Sequence, residues 1–313
     1  MRAYGPVPSR RLGRSLGVNN IPAKRCTYSC IYCQLGRTVK TEVEREIFFD
    51  TVDLVGEVRK KVNQTESSNE KIDYLSFVPD GEPTLDKELG LKIDLLKPLR
   101  LDIAVISNGS LLGHKEVRSD LGKADWVSIK VDSVTENVRR HVNRPEPSLK
   151  LERILEGARE FSKSFDGTLA TETMLIKDIN DEEKEARKVA SFIKELNPDV
   201  SYLAIPTRPP AEEWAQPTTE ARLARNYEIF NKILDKVEYL IGYEGDEFAS
   251  TGDVKDDLLS ITSVHPMREE GVRELLKRRD SEWFLVQGLL DDEKLKEVDY
   301  DGNKFYIRKF SRE

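Results

Sequence analysis

Cys26, Cys30 and Cys33 are the only cysteines of the chain, and all three sit on one loop, Cys26-Thr27-Tyr28-Ser29-Cys30-Ile31-Tyr32-Cys33. A spacing of i, i+4, i+7 lets three thiolates converge on one metal centre, yet leaves a tetrahedral site one ligand short. A structural zinc ion would need a fourth Cys or His. His114, His141 and His265 are the only histidines, and none stands near the loop in sequence. An iron–sulfur cluster held by three thiolates keeps one iron open to bind something else. Clustered cysteines also suit a reducing compartment and metal binding better than a disulfide framework.

Other polar residues gather where strands end. Asp80-Gly81-Glu82-Pro83 closes one strand, and Ser107 and Asn108 close the next. In Ser128-Ile129-Lys130-Val131-Asp132 the period of two puts Ser128, Lys130 and Asp132 on one face and Ile129 and Val131 on the other. Buried charge is costly unless used or paired, so a polar inner face implies a site or a simple Lys–Asp pair. Glu172 and Met174 share a face too, but that segment does not reveal which face looks inward. Arg208, in Pro206-Thr207-Arg208-Pro209-Pro210, is placed to clamp a carboxylate or phosphate. Arg10, Arg11, Arg14, Lys24, Arg25, Arg37 and Lys40 surround the cysteine loop, as solvated surface or as the seat of an anionic ligand.

The elements that must position these residues alternate. Strands are expected at 15–19, 72–78, 101–106, 126–131, 167–176 and 200–205. Helices are expected at 50–62, 86–96, 148–162, 181–196 and 218–237, with a polar loop at 63–69. Alternation of this kind argues for right-handed parallel βαβ units, in an open sheet or a partial or full barrel. Site residues at the C-terminal ends of the strands are where such sheets hold ligands. Beyond a boundary near 245–252 the rhythm changes. Helices are expected at 253–262, 268–278 and 281–290, and Asp301-Gly302-Asn303 signals a hairpin between 296–300 and 304–308. Three helices and a hairpin describe a small winged-helix domain, 252–313, after a large α/β domain, 1–245. Trp283 and Phe284 are read as core.

Cys26-x-x-x-Cys30-x-Tyr32-Cys33 resembles the CxxxCxΦC motif, Φ aromatic, of the radical S-adenosylmethionine (radical SAM) enzymes. The resemblance implies that the three thiolates hold a [4Fe–4S] cluster whose open iron is chelated by S-adenosylmethionine. The sulfonium is then cleaved reductively to methionine and a 5′-deoxyadenosyl radical. Gly81-Glu82 resembles the family's GGE-type motif, which holds the amino group of the cofactor, with Asp80 where the first glycine stands. By the same resemblance Ser128, Lys130 and Asp132 contact the ribose and carboxylate. From their places at strand ends Ser107 and Asn108 are candidate contacts for adenosine or substrate, and Tyr32 and Arg208 complete the cofactor-binding set. Tyr4-Gly5-Pro6-Val7-Pro8-Ser9-Arg10-Arg11-Leu12-Gly13, Gln34-Leu35-Gly36 and the Arg208 segment are similar to a group related to the wybutosine (tRNA wyosine base) synthesis enzymes. That likeness covers roughly 1–245 and implies a partial (β/α)6 barrel. The wyosine enzymes carry further cysteines for a second cluster; this chain has none, so their product does not carry over.

The totals set the limits. With 313 residues, 34% charged and 38% hydrophobic, the chain is globular. No run approaches the ~20 apolar residues of a membrane helix, and the first residues form no apolar signal region. A cytoplasmic protein with no membrane partner is expected. A net charge of −7 gives no overall footprint for nucleic acid. The acidic balance of 281–295 counts against promoter DNA. It favours a protein-docking or substrate-presenting winged helix, with RNA contact through the basic hairpin (Lys296, Lys304, Arg308, Lys309 and Arg312) second. Ferredoxin or flavodoxin is the electron donor that the family implies, and the substrate is a tRNA base, a peptide or protein side chain, or a metabolite. The competing reading is an iron–sulfur redox regulator acting through its winged helix, which gives no reason for Glu82 or the Ser128–Lys130–Asp132 face.

Overall fold

The computed structural model describes residues 2–38, 40–242, 245, 248 and 253–309. One eight-stranded sheet runs in strict chain order: β1 (Ala3–Ser9), β2 (Gly13–Val18), β3 (Tyr74–Phe77), β4 (Asp102–Ser107), β5 (Trp126–Lys130), β6 (Thr168–Met174), β7 (Val200–Ala204) and β8 (Val237–Leu240). β1 pairs antiparallel with β2, and every later neighbour is parallel. β1 and β8 do not pair, so the sheet curls into an open half barrel. The six expected strands are β2 to β7, and an extra strand flanks them on each side.

The two additions have local causes. Pro6 and Pro8 argue against a strand, but an edge strand tolerates missing N–H donors, and β1 shifts register between Tyr4 and Val7. The helix expected over 218–237 ends at Ile233, because Leu234 turns extended at φ −107° and ψ 152°. That releases Val237–Leu240 to join the sheet.

Helices cover the convex face: α1 (Thr51–Ser67), α2 (Leu89–Leu96), α3 (Lys115–Leu121), α4 (Glu136–Asn143), α5 (Leu151–Ser164), α6 (Glu183–Leu196) and α7 (Glu220–Ile233). Leu16, Leu75, Phe77, Ile103, Val105, Val127 and Leu203 are fully buried beneath them. Each such side chain contributes about 1.5–3 kcal/mol. The stretch 63–69, expected as loop, is mostly helix. Thr65 turns inward and its hydroxyl donates to Lys61 O at 2.8 Å, while the polar neighbours stay outside. The helix expected from 86 begins at Leu89, as α2, after a 3-10 turn at Pro83–Leu85 that precedes the expected span. α3 and α4 were not foreseen. Ala104, Trp126, Ala170, Tyr202 and Leu240 line the concave face, and the polar residues of the site continue along it.

After residue 252 come α8 (Val254–Ile261), α9 (Glu269–Lys277) and α10 (Phe284–Asp291). A three-stranded sheet completes this unit, in the order β10 (Leu295–Tyr300), β11 (Asn303–Arg308), β9 (Met267–Arg268). Asp301 and Gly302 take φ of 50° and 72°, the left-handed pair that a tight hairpin requires. The boundary expected at 245–252 lies, apart from Gly245 and Phe248, outside the described residues, as does Arg312. The core of this unit is shared with the barrel: Tyr4 and Val7 of β1 pack with Leu258, Met267 and Leu275. Phe284 is a correction. It is 82% exposed, while Trp283 packs edge-on against Tyr306 at 5.6 Å.

Candidate active site

The cysteine loop is clasped from several directions. Arg25 bridges Gly81, Cys26 bridges Thr41, and Tyr28 bridges Pro145. Ile31, between Cys30 and Cys33, donates its N–H to Val142 O at 2.9 Å and accepts from Glu212 N at 2.9 Å. Gly81 is obligatory here: a Cβ on it would lie 1.9 Å from Arg25 O. Its φ of 151° and the 3.0 Å bond from Glu82 N to Arg25 O lock the end of β3 against the start of the loop.

Donors point at all three sulfurs, at Cys33 from the backbone of Leu35. Tyr28 N lies 3.4 Å and Asn108 Nδ2 3.7 Å from Cys26 Sγ, and Asn143 Nδ2 lies 3.5 Å from Cys30 Sγ. Burial pushes all three thiols up, Cys30 to about 12 and Cys26 well above its ordinary value. Thiolates in this loop therefore need a positive centre to offset desolvation.

Glu82 is 1% exposed. Its Oε1 accepts from Thr84 N at 3.1 Å, Thr84 Oγ1 at 2.6 Å and Ser107 Oγ at 2.7 Å, and its Oε2 accepts from Asn108 N at 2.7 Å. Burial raises its pKa against those bonds, and among the described residues no Lys or Arg forms an ion pair with it. Asn108 Nδ2 also reaches Thr27 Oγ1 at 2.8 Å, so the end of β4 ties this carboxylate to the cysteine loop.

On the concave face Lys130 Nζ pairs with Glu172 Oε1 at 2.7 Å and stands 5.0 Å above the Tyr32 ring. Arg11 pairs with the other oxygen of Glu172, so Glu172 and with it Met174 face inward. Ser128 is completely buried, and its hydroxyl has no hydrogen-bond partner among the described residues. Asp132 lies deeper in a brace: Tyr32 OH and Asn143 Nδ2 (2.7 Å) donate to Oδ2, and Met174 N donates to Oδ1 at 2.9 Å.

Cys26, Cys30, Cys33, Tyr32, Gly81, Glu82, Asn108, Ser128, Lys130 and Asp132 thus converge at one end of the half barrel. Arg208 stands apart from them. Its guanidinium donates to Gln34 Oε1 at 2.8 Å and meets His265 Nε2 at 3.1 Å, joining the segment after β7 to the C-terminal unit. Sequence reasoning missed Asn143 and the inward role of Glu172 and Arg11. Asn143 ends α4, and the one signal for that helix was Thr135 before Glu136, with Pro145 as a stop.

Asp80, the residue that stands where the motif has a glycine, is buried with Lys24 Nζ 3.4 Å away, and one of its oxygens lacks a partner among the described residues. Burial raises its pKa to about 6. A carboxylate raised in the folded state costs stability above that value and is relieved as pH falls through it. Asp80→Asn is therefore expected to stabilise the cluster-free protein by about 1–3 kcal/mol near pH 8 in urea unfolding. The gain should fade below about pH 6; a gain independent of pH would rule out this account.

Residues 20–190, which contain the cysteine loop, Glu82 and strands β3 to β6, match the family model described as the radical SAM superfamily. The chain belongs to the radical SAM superfamily. Members of the superfamily are enzymes that use a [4Fe–4S] cluster and S-adenosylmethionine and need an electron donor. A UPF0026 protein of Methanocaldococcus jannaschii is 44% identical over 98% of this chain and 95% of its own length. A probable dual-specificity RNA methyltransferase, RlmN, of Endomicrobium trichonymphae is 26% identical over 59% of this chain and 53% of its own. Among solved structures, Streptococcus suis SuiB bound to S-adenosylmethionine is similar with a TM-score of 0.53 and 13% identity, over 72% of this chain and 50% of that one. That likeness is one of fold. No described helix is long and apolar enough to cross a membrane.

Proposed function

We propose that this radical SAM enzyme holds one [4Fe–4S] cluster on Cys26, Cys30 and Cys33 and binds S-adenosylmethionine across the concave face. Glu82 carries the reading. A carboxylate this buried, with no Lys or Arg paired to it among the described residues, calls for a cation from outside the chain. Oε2, with a single accepted bond, offers the amino group of S-adenosylmethionine a charge-assisted partner. Ser128, buried and without a partner among the described residues, is the hydroxyl for the ribose, and Lys130 faces the carboxylate while Glu172 keeps it charged. Asp132 acts by holding Tyr32 and Asn143 against the loop rather than by touching the cofactor.

The donor set fits a cluster better than a single ion. Three thiolates on one loop suit a cluster, where each binds a different iron and the fourth iron stays open. Bound there, the cluster would supply the electron, drawn from a donor such as ferredoxin or flavodoxin, for reductive cleavage of S-adenosylmethionine. Glu82, Ser128 and Lys130 would hold its amino group, ribose and carboxylate in place.

The C-terminal unit fits a winged helix that closes the mouth of the site. Gln34, beside Cys33, donates to Val264 O at 3.1 Å, and Tyr300 OH donates to Pro206 O at 3.3 Å. Two of the cations at its hairpin are spent on neighbours, Lys304 on Glu297 at 2.5 Å and Lys309 on Glu293 at 2.9 Å, which weakens nucleic-acid binding by the wing and supports a substrate-presenting role. The test is anaerobic reconstitution with iron and sulfide, followed by dithionite and S-adenosylmethionine. Release of 5′-deoxyadenosine and methionine is expected; an intact cluster that releases neither ends the reading.

A further inference from the structure

Beside the cysteine loop, an exposed aromatic ring is framed by cations in a chain whose net charge is −7. Trp214 is 48% exposed. The His141 ring lies 5.6 Å from its indole, and the Arg144 guanidinium lies 5.9 Å from the indole centroid. Glu212 fixes Arg144 through one oxygen and Arg37 through the other, the latter at 2.5 Å. Glu136 likewise serves both Arg139 and Arg140. Four guanidiniums share two carboxylates, so a cationic excess remains even when the exposed Glu213 is counted. Arg37 and Arg140, each 66% exposed, carry it outward.

The segments that carry this patch also support the cysteine loop. Ser29 N donates to Asn143 O at 3.0 Å and to Arg144 O at 3.2 Å, and Ile31 is held between Val142 and Glu212. Asn143, next to Arg144, reaches Cys30 Sγ. The neighbouring residue Glu213 lines a separate cleft of about 590 Å3 with Gln34, Lys296, Asp299, Tyr300 and Asp301. That cleft is acidic on balance, so the cationic face lies around the ring itself.

A flat indole beside pre-positioned arginines matches the needs of a single strand, whose bases stack on aromatic faces while its phosphates meet cations. A protein anchor pocket would surround the indole with apolar side chains, whereas its ring and cation neighbours here are His141 and Arg144. We propose that Trp214, His141, Arg144 and Arg37 form a docking platform for single-stranded RNA, the substrate class of the radical reaction. This rests on the enzyme reading given above.

The test uses the reconstituted holoenzyme and a fluorescein-labelled, mixed-sequence RNA oligonucleotide, followed by anisotropy at about 50 and 200 mM salt. The wild type should bind with an affinity that falls steeply with salt. Trp214→Ala should lose at least about tenfold, and Trp214→Phe should keep most of the affinity, because stacking needs a ring rather than an indole. Arg37→Ala should weaken binding and flatten the salt dependence. Binding that Trp214→Ala leaves unchanged would be attraction of any polyanion and would overturn the proposal. A wild type that binds no RNA at the lower salt would leave the face to a protein partner and overturn it as well. If the wild type binds RNA through Trp214 but releases no 5′-deoxyadenosine, the platform stands and the enzyme reading alone fails.

Discussion

Cys30→Ala is expected to abolish both the iron–sulfur chromophore and the release of 5′-deoxyadenosine. Cys30 is the middle thiol of the loop, and the residues that hold it in place come from two parts of the chain: the end of α4, with Val142 through Ile31 N and Asn143 through its side-chain amide, and Glu212 through Ile31 O. Removing its sulfur leaves two thiolates for a cluster that needs three protein ligands to keep a single iron open. The expected result of reconstitution is sub-stoichiometric iron and no turnover above background, with the fold intact by circular dichroism. Asn143→Ala provides a graded comparison. It keeps all three sulfurs but removes the donor to Cys30 and the tie to Asp132, so activity or cluster retention should fall about 10–100-fold, as for other outer partners of metal ligands. Full cluster content and turnover in Cys30→Ala would place the metal elsewhere. An Asn143→Ala variant as dead as Cys30→Ala would mean that Asn143 does more than hold a sulfur.

How far the sequence disclosed this site depended on whether a residue's neighbours revealed its direction. Ser128, Lys130 and Asp132 were legible because Ile129 and Val131 alternate with them, and a period of two allows only one assignment of faces. β6 gave no such contrast. Thr171 and Thr173 are as polar as Glu172, and both are buried under helices with their hydroxyls satisfied, by Ser201 Oγ at 2.9 Å and Val131 O at 2.9 Å. The inward turn of Glu172 became visible only with Lys130 opposite. Gly81-Glu82 could be located but not explained, because the reason for Gly81 is the carbonyl of Arg25, fifty-six residues earlier. β1 was hidden by its prolines. The Trp214 platform was out of reach for a different reason: Arg37, Arg140, Arg144 and Glu212 come from three distant segments and meet only once Ile31 has been clasped between two of them.

The same concave face allows structure and cofactor binding to be separated by mutation. Glu172 answers two cations, Lys130 at 2.7 Å and Arg11, with the three side chains 8%, 17% and 15% exposed. Burial pulls the Lys130 ammonium down, yet Glu172 and Asp132 outweigh it and its pKa is raised. Glu172→Ala would leave two mostly buried cations facing each other with no carboxylate between them. Breaking a buried pair from one side costs about 3–5 kcal/mol, and the partial exposure of Arg11 places the expected loss at the low end. Lys130→Met is milder, because the Arg11–Glu172 pair survives and a methionine fills most of the lysine's volume. Urea unfolding of the cluster-free proteins should therefore rank Glu172→Ala well below Lys130→Met in stability. Turnover should discriminate differently. If Lys130 faces the cofactor carboxylate, Lys130→Met raises the S-adenosylmethionine concentration needed for half-maximal cleavage although its fold is sound. If Lys130→Met instead binds S-adenosylmethionine normally, its ammonium serves only to neutralise Glu172, and Ser128 and Glu82 are left as the cofactor's polar contacts on this face.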